Sequence, residues 1–259
     1  MDESEQIPVQ PYHPDVFDRL NLFRTAKALL SRNKAYITNL GDVFVNHQMH
    51  NIFGVSLLHK HFDLHYDEIL VRTIDVRRRV AYSRPASRHT EAVPYLWRAL
   101  RGPDGRLRFA PLEFVRSADV RGFHVVDLTQ HASFLTAVAG ALAERDLLDV
   151  FGISTMNIRK ISLGPDELMV ETTDSEKRRL TITPVHRSEI ATTEVTETFW
   201  TFSPGFLVDI GGILKCTWEH CTGHCQSHCI SHCSGHCAQH CGQHCACQCL
   251  VHCDHPDPY

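Results

Sequence analysis

The first 215 residues contain no cysteine, although the 259-residue chain has 11. That absence excludes a disulfide framework and a thiol nucleophile from most of the protein. From Cys216 onward there is no lysine or arginine, only the acids Glu219, Asp254 and Asp257. Phosphate neutralisation needs clustered cations, so the C-terminal region is a poor reader of nucleic acid. No apolar run approaches the ~18–20 residues that span a bilayer. The opening MDESEQIPVQPYHP is acidic and polar, unlike a secretory leader. A Gly-x-Ser-x-Gly elbow and a phosphate-cradling glycine loop are also missing. These absences predict a cytoplasmic protein without nucleic-acid or membrane partners.

What is present divides sharply. With 43% hydrophobic and 22% charged residues, the chain can form one sizeable core with an appendage left over. The expected division is a disordered N-terminus over 1–13, a body over 14–205, a linker over 206–215 and a tail over 216–255. Within the body, Val16, Leu20, Phe23, Ala26 and Leu30 keep helical spacing, predicting a helix from Asp15 to Arg32. A second helix is expected from His131 to Asp149. Alternating or short apolar runs predict strands at 52–62, 68–75, 79–83, 94–100 and 107–115, with Gly102-Pro103-Asp104-Gly105 joining the last two as a hairpin. More strands are expected at 151–156, 167–173, 178–183 and 193–203.

The two halves of the body resemble one another. Phe53-Gly54-Val55-Ser56 answers Phe151-Gly152-Ile153-Ser154, and Asp67-Glu68-Ile69-Leu70-Val71 answers Asp166-Glu167-Leu168-Met169-Val170. Thr73 and Asp75 match Thr172 and Asp174, Arg78-Arg79-Val80 aligns with Arg178-Arg179-Leu180, and Glu91 with Trp97 aligns with Glu194 and Trp200. The expected fold class is therefore α+β, an internally duplicated unit of helix plus antiparallel strands packed about a pseudo-twofold axis, with repeats at about 14–100 and 130–204. The run Phe53-Gly54-Val55-Ser56-Leu57-Leu58-His59-Lys60-His61-Phe62-Asp63-Leu64 resembles uncharacterised proteins of filamentous fungi, a likeness that implies a fungal setting and no chemistry.

One body site is suggested among His47, His50, His59, His61 and His65. On an extended strand His59 and His61 project to the same face, so two imidazoles are available to one ion. The second copy offers Asn157 and Arg159 there, so histidine is not needed for folding. The bland alternative is a set of surface or satisfied core histidines, and no third ligand can be named. Asp67, Glu68, Asp166 and Glu167 stand at strand starts, where turn formation explains them better than acid–base work.

The tail is denser in chemistry. Nine cysteines, Cys221, Cys225, Cys229, Cys233, Cys237, Cys241, Cys245, Cys249 and Cys253, recur every four residues, and histidine precedes eight of them. Those histidines are His220, His224, His228, His232, His236, His240, His244 and His252. Cys216, Cys247 and His255 complete the donor set. Thiolate with neutral imidazole suits Zn(II) or Cu(I), and an iron–sulfur cluster less well. A straight helix would rotate the ligands by about 40° per repeat, so it cannot keep them on one wall. The spacers are small and polar, which leaves the ligands themselves to order the segment when ions bind. Cysteine density and the lack of aromatics within the array make the tail similar to metallothioneins, from which it departs in its histidines and strict period.

The leading expectation is polyvalent binding of several Zn(II) or Cu(I) ions for storage, buffering or detoxification. Alternatives are a scaffold whose tail links chains through metal or disulfides, forming a homo-oligomer, and a metalloenzyme with an ion at His59 and His61. No catalytic residue is assigned, and a non-enzyme is the preferred reading.

Overall fold

The computed structural model describes residues 9–120, 126–156, 158–190, 195–203, 206–209 and 213–216. Three helices open the chain: α1 (Pro14–Asp18), α2 (Phe23–Asn33) and α3 (Tyr36–Asn46). The single helix expected from Asp15 to Arg32 is thus two. Its break has a cause, because the Asn21 carbonyl accepts from the Lys60 amide at 2.7 Å and Leu22 bridges Lys60. This backbone contact ties the helical region to the segment carrying His59 and His61. The sequence reading missed α3, whose buried Ile37, Leu40 and Phe44 keep helical spacing across β-branched residues and Gly41. Helix α4 (Ala132–Ala143) ends short of the expected Asp149. Asp146 takes a left-handed φ of 56° there, and the Leu147 amide returns to the Leu142 carbonyl at 2.8 Å. A last short helix is α5 (Arg187–Ile190).

The strands are β1 (Phe53–Leu57), β2 (Glu68–Asp75), β3 (Val80–Ser87), β4 (Ala92–Arg101), β5 (Leu107–Arg116), β6 (Phe151–Thr155), β7 (Glu167–Asp174), β8 (Arg179–His186), β9 (Val195–Glu197), β10 (Phe199–Ser203), β11 (Phe206–Asp209) and β12 (Ile213–Cys216). They form one mixed sheet in the order β11-β10-β1-β6-β4-β5-β2-β3-β8-β7-β12-β9. Helices and sheet together make the protein α+β. The two ends of that order meet, since β9 and β10 are consecutive with only Thr198 between them. The sheet therefore curls back on itself. Strands β11 and β12 fall within 206–216, so the stretch expected as a linker contributes to the sheet up to Cys216. Residues 9–13, expected to be disordered with 1–8, also lie on the sheet: the Gln10 amide donates to the Phe109 carbonyl at 2.8 Å and Tyr12 packs edge-on against Phe114. Residues 1–8 fall outside the described residues.

Strand alternation splits the core between the two faces. Phe53, Val55 and Leu57 of β1, Ile153 of β6, Trp97 of β4 and Trp200 of β10 face α2, α3 and α4, where Leu30, Leu40, Phe44, Phe134 and Val138 cover them. The other face holds Leu58, Leu70, Ile74, Ala81, Tyr95, Val115 and Ile182, capped by Val16, Phe17 and Leu20. Two glycines allow the strands to approach. A Cβ on Gly54 would come 2.6 Å from the Trp200 carbonyl oxygen, and one on Gly152 would come 2.5 Å from that of Trp97.

Pairing is also matched across the sheet. Strands β1 and β6 are antiparallel with Val55 opposite Ile153, Gly54 opposite Ser154 and Ser56 opposite Gly152. The Ser56 and Ser154 hydroxyls meet at 2.6 Å. Strands β3 and β8 pair with Tyr82 opposite Thr181. The β2–β3 and β7–β8 loops place Arg79 (φ 54°) and Arg178 (φ 47°) in the same conformation. That equates Arg79 with Arg178, one residue away from the alignment read in the sequence. Each arginine crosses to the other hairpin: Arg79 donates to Glu167 and to the Ser162 carbonyl, and Arg178 to Glu68 and the Asp63 carbonyl.

Candidate metal centre

Sheet curvature brings distant strands onto one imidazole. Strands β5 and β7 are four steps apart in the strand order, about 19 Å in a flat sheet at ~4.8 Å per step. Yet His61 Nε2 lies 3.7 Å from Glu113 Oε1 on β5, and His61 Nδ1 lies 3.6 Å from Glu171 Oε1 on β7. His59 Nε2 is 3.8 Å from the same Glu171 oxygen. Strand β1 ends at Leu57, so the two histidines follow the strand rather than belong to it. Their rings still come together, with centroids 4.4 Å apart at 72°, and Phe23 of α2 packs on His59 at 4.9 Å. The side chains of His59, His61 and Glu171 are 5%, 3% and 6% exposed, so the group is shielded from bulk water.

The outer side of each ring is also occupied. His59 Nδ1 stands 2.9 Å from the Leu57 carbonyl oxygen. A carbonyl only accepts, so Nδ1 carries the hydrogen, and in the neutral ring Nε2 is left with its lone pair toward Glu171. His61 turns Nε2 to the Glu113 carboxylate and Nδ1 to Glu171. Glu113 is held in turn by the Tyr95 hydroxyl, which donates a short hydrogen bond to its Oε2, and by Arg72 at 3.9 Å. Arg72 lies over the Tyr95 ring, 4.5 Å from its centroid, and its Nε donates to Ser83 Oγ at 3.3 Å. Burial pushes the Glu113 carboxyl up. The neighbouring His61 ring, the Arg72 guanidinium and the Tyr95 hydroxyl outweigh it, leaving Glu113 below the usual carboxylate range. Burial raises the Tyr95 phenol well above its ordinary value, so it remains a donor at physiological pH.

One nitrogen from each histidine and one Glu171 oxygen lie within 4.8 Å of one another. Zinc held tetrahedrally by bonds of 2.0–2.1 Å needs ligand atoms about 3.3 Å apart. The 3.6 and 3.8 Å separations from the Glu171 oxygen are close to that spacing, and the two histidine nitrogens lie within 4.8 Å of one another. Two imidazoles and a carboxylate form an N2O donor set suited to a borderline divalent cation such as Zn(II).

Of the histidines weighed in the sequence, only His59 and His61 converge. His47 caps α3 and packs on Phe134 at a centroid distance of 6.0 Å, and the His65 amide donates to Glu68. Arg159 is half exposed, 3.8 Å from Asp119, and Asn157 lies outside the described residues. The tail ligands from His220 to His255 also lie outside them, while the backbone of Cys216 closes β12.

Sequence reasoning missed Glu171, Glu113, Tyr95 and Arg72. A signal for two of them was present, because Arg72 and Glu171 are the one charged mismatch inside the largely matched runs from Asp67 and Asp166. A charge at mid-strand between buried positions departs from the strand pattern and marks an interior polar site. No protein-family model, curated protein or solved structure matches this chain. Among the described residues no helix is long and apolar enough to cross a membrane.

Proposed function

We propose that the protein binds metal ions through two chemically different ligand sets: a single buried N2O centre in the body and a polyvalent Cys/His array in the tail. The observation that carries the body site is the convergence of His59 Nε2 and His61 Nδ1 on one Glu171 oxygen. The tail reading rests on the strict four-residue cysteine period with its preceding histidines. Thiolates favour softer ions and would serve storage, buffering or detoxification of Zn(II) or Cu(I), whereas the body site favours a borderline divalent ion. The near-equivalent pairing of the two halves supports an origin by duplication.

Anaerobic metal analysis of the full-length chain tests both parts. Replacing every cysteine from Cys216 to Cys253 by serine and every histidine from His220 to His255 by alanine gives a tail-silenced chain, expected to retain one Zn(II). Adding His59→Ala and His61→Ala should remove that ion. A tail-silenced chain without metal rules out the body site, and an intact chain carrying no more metal than the tail-silenced one rules out the array.

A second reading, catalysis at the buried ion, is favoured by the three protein ligands that converge among the described residues, a set that leaves a fourth position for water. The Co(II) spectrum of the tail-silenced chain should then respond to azide. A spectrum indifferent to azide counts against it.

A further inference from the structure

We propose that Glu113 is the positioning residue of the body centre, acting on the ion through His61 by holding the hydrogen on Nε2 and so fixing Nδ1 as the ligand. The inference rests on the metal-binding reading of His59, His61 and Glu171. It concerns the partner on the far side of a ligand and follows from the unlike surroundings of the two rings.

His59 already has a fixed outer partner, the Leu57 carbonyl at 2.9 Å. His61 has carboxylates on both sides, Glu171 at 3.6 Å from Nδ1 and Glu113 at 3.7 Å from Nε2. Distance alone does not tell them apart, and a neutral imidazole offers only one hydrogen and one lone pair. Their surroundings do. Glu171 also faces His59 Nε2, at 3.8 Å, whereas Glu113 faces Tyr95 and Arg72. Two lone-pair nitrogens directed at Glu171 create a cation site there, while a hydrogen directed at Glu113 joins the hydroxyl and guanidinium already donating to or balancing that carboxylate. The assignment gives each ligating ring an outer acceptor, the arrangement that orients metal-bound imidazoles and raises their basicity. Both Glu113 Oε1 and His61 Nε2 lie beyond hydrogen-bond length at 3.7 Å, so ion binding should draw them together.

Arg72 and Tyr95 secure Glu113 without approaching the ion. The Tyr95 hydroxyl bonds the Oε2 atom, which leaves Oε1 directed at His61. Arg72 is fixed by Ser83 on the adjacent β3 and by the Tyr95 ring on β4, two strands away. The order of action is Arg72 and Tyr95 on Glu113, Glu113 on His61, and His61 on the ion.

The experiment uses the full-length tail-silenced chain loaded with Co(II), whose bound histidines give paramagnetically shifted, exchangeable ring N–H proton signals. Two such signals are expected, from His59 Nδ1–H and His61 Nε2–H. Glu113→Ala should weaken Co(II) binding about 10- to 100-fold, the usual cost of losing an outer-shell partner. It should also broaden or remove one N–H signal and leave the other. Glu113→Gln, whose amide oxygen still accepts, should restore the signal and part of the affinity. Tyr95→Phe, which keeps the carboxylate, should cost less than Glu113→Ala and keeps the question decidable if the alanine variant fails to fold. Unchanged affinity and two unchanged signals in Glu113→Ala, or no affinity loss in Tyr95→Phe when the alanine variant does not fold, would overturn the role of Glu113. Equal loss of both signals would overturn it as well, indicating general disturbance instead of positioning. Absence of Co(II) binding in the tail-silenced parent would instead defeat the metal-centre reading itself.

Discussion

Hairpins β2–β3 and β7–β8 lie side by side and agree at their ends while disagreeing inside the sheet. Glu68 and Glu167, like Arg79 and Arg178, stand 99 positions apart and exchange partners across the junction. The His65 and Gly164 amides, at the same spacing, donate to the two glutamates. Inside the sheet the same offset sets Arg72 against Glu171, Ile74 against Thr173 and Ser83 against Ile182. Matching positions build strand pairing and loop geometry, which both hairpins need. Unmatched positions supply the cation, the carboxylate and the polar contacts of one asymmetric centre. A polar group is costly in an interior unless partnered, so a lone substitution there would be disfavoured and a mutually satisfied set retained.

The largest test of this contrast is Arg72→Met. It keeps side-chain bulk but leaves the Glu113 carboxylate buried without its guanidinium, and breaking such a pair should cost about 3 kcal/mol in urea unfolding. Next is ligand-linked stabilisation. Zn(II) at 100 times its Kd should stabilise the tail-silenced chain by ~2.7 kcal/mol, and the gain should vanish in Glu171→Gln. A gain that survives Glu171→Gln would place the ion elsewhere. Third are Gly54→Ala and Gly152→Ala. Each Cβ would meet the carbonyl of a matched tryptophan, Trp200 or Trp97, so each change should cost about 2 kcal/mol and the two should be nearly equal. Free accommodation of one and not the other would show that the halves are matched in pairing only.

The parts legible in the sequence were those with a local signature. Alternation located β2, and the Gly102–Gly105 turn located the β4–β5 hairpin, in which Gly105 takes a φ of 78°. His59 and His61 were visible as two donors at even spacing. Helix α3 was obscured by Gly41 and its β-branched residues, because tertiary cover from α4 and β10, not propensity, stabilises it. Strand β12 was hidden behind Gly211-Gly212, since its parallel partner β7 is some forty residues earlier in the chain. Glu171 was unreadable as a ligand for a similar reason: nothing within its own strand indicates that curvature will return it to His59.

The smallest effect concerns the matched surface pairs and follows from acid. For Glu68, burial pushes the carboxyl up, but the Arg178 hydrogen bond, the His65 amide and the Arg178 charge bring it below its ordinary value of 4.5. For Glu167, the Arg79 hydrogen bond and the Gly164 amide lower it from the same value against a weaker burial effect. Between the lowered folded values and 4.5 the unfolded chain binds more protons, so stability rises with pH in that interval. These contributions are fully present above 4.5 and are lost as pH falls through the folded values. Because both pairs lie at the surface and remain partly exposed, the effect should be small and should shrink in high salt. Arg79→Met and Arg178→Met should each flatten the acid limb of the Tm-against-pH curve by a similar amount. Together they should leave an acid dependence carried by other lowered carboxyls, among them the surface Asp104, Asp127 and Asp174 and the buried Glu113. If either single change removes the whole acid dependence, the two crossed pairs are not equivalent, and the agreement between the hairpins is one of shape without energetic equality.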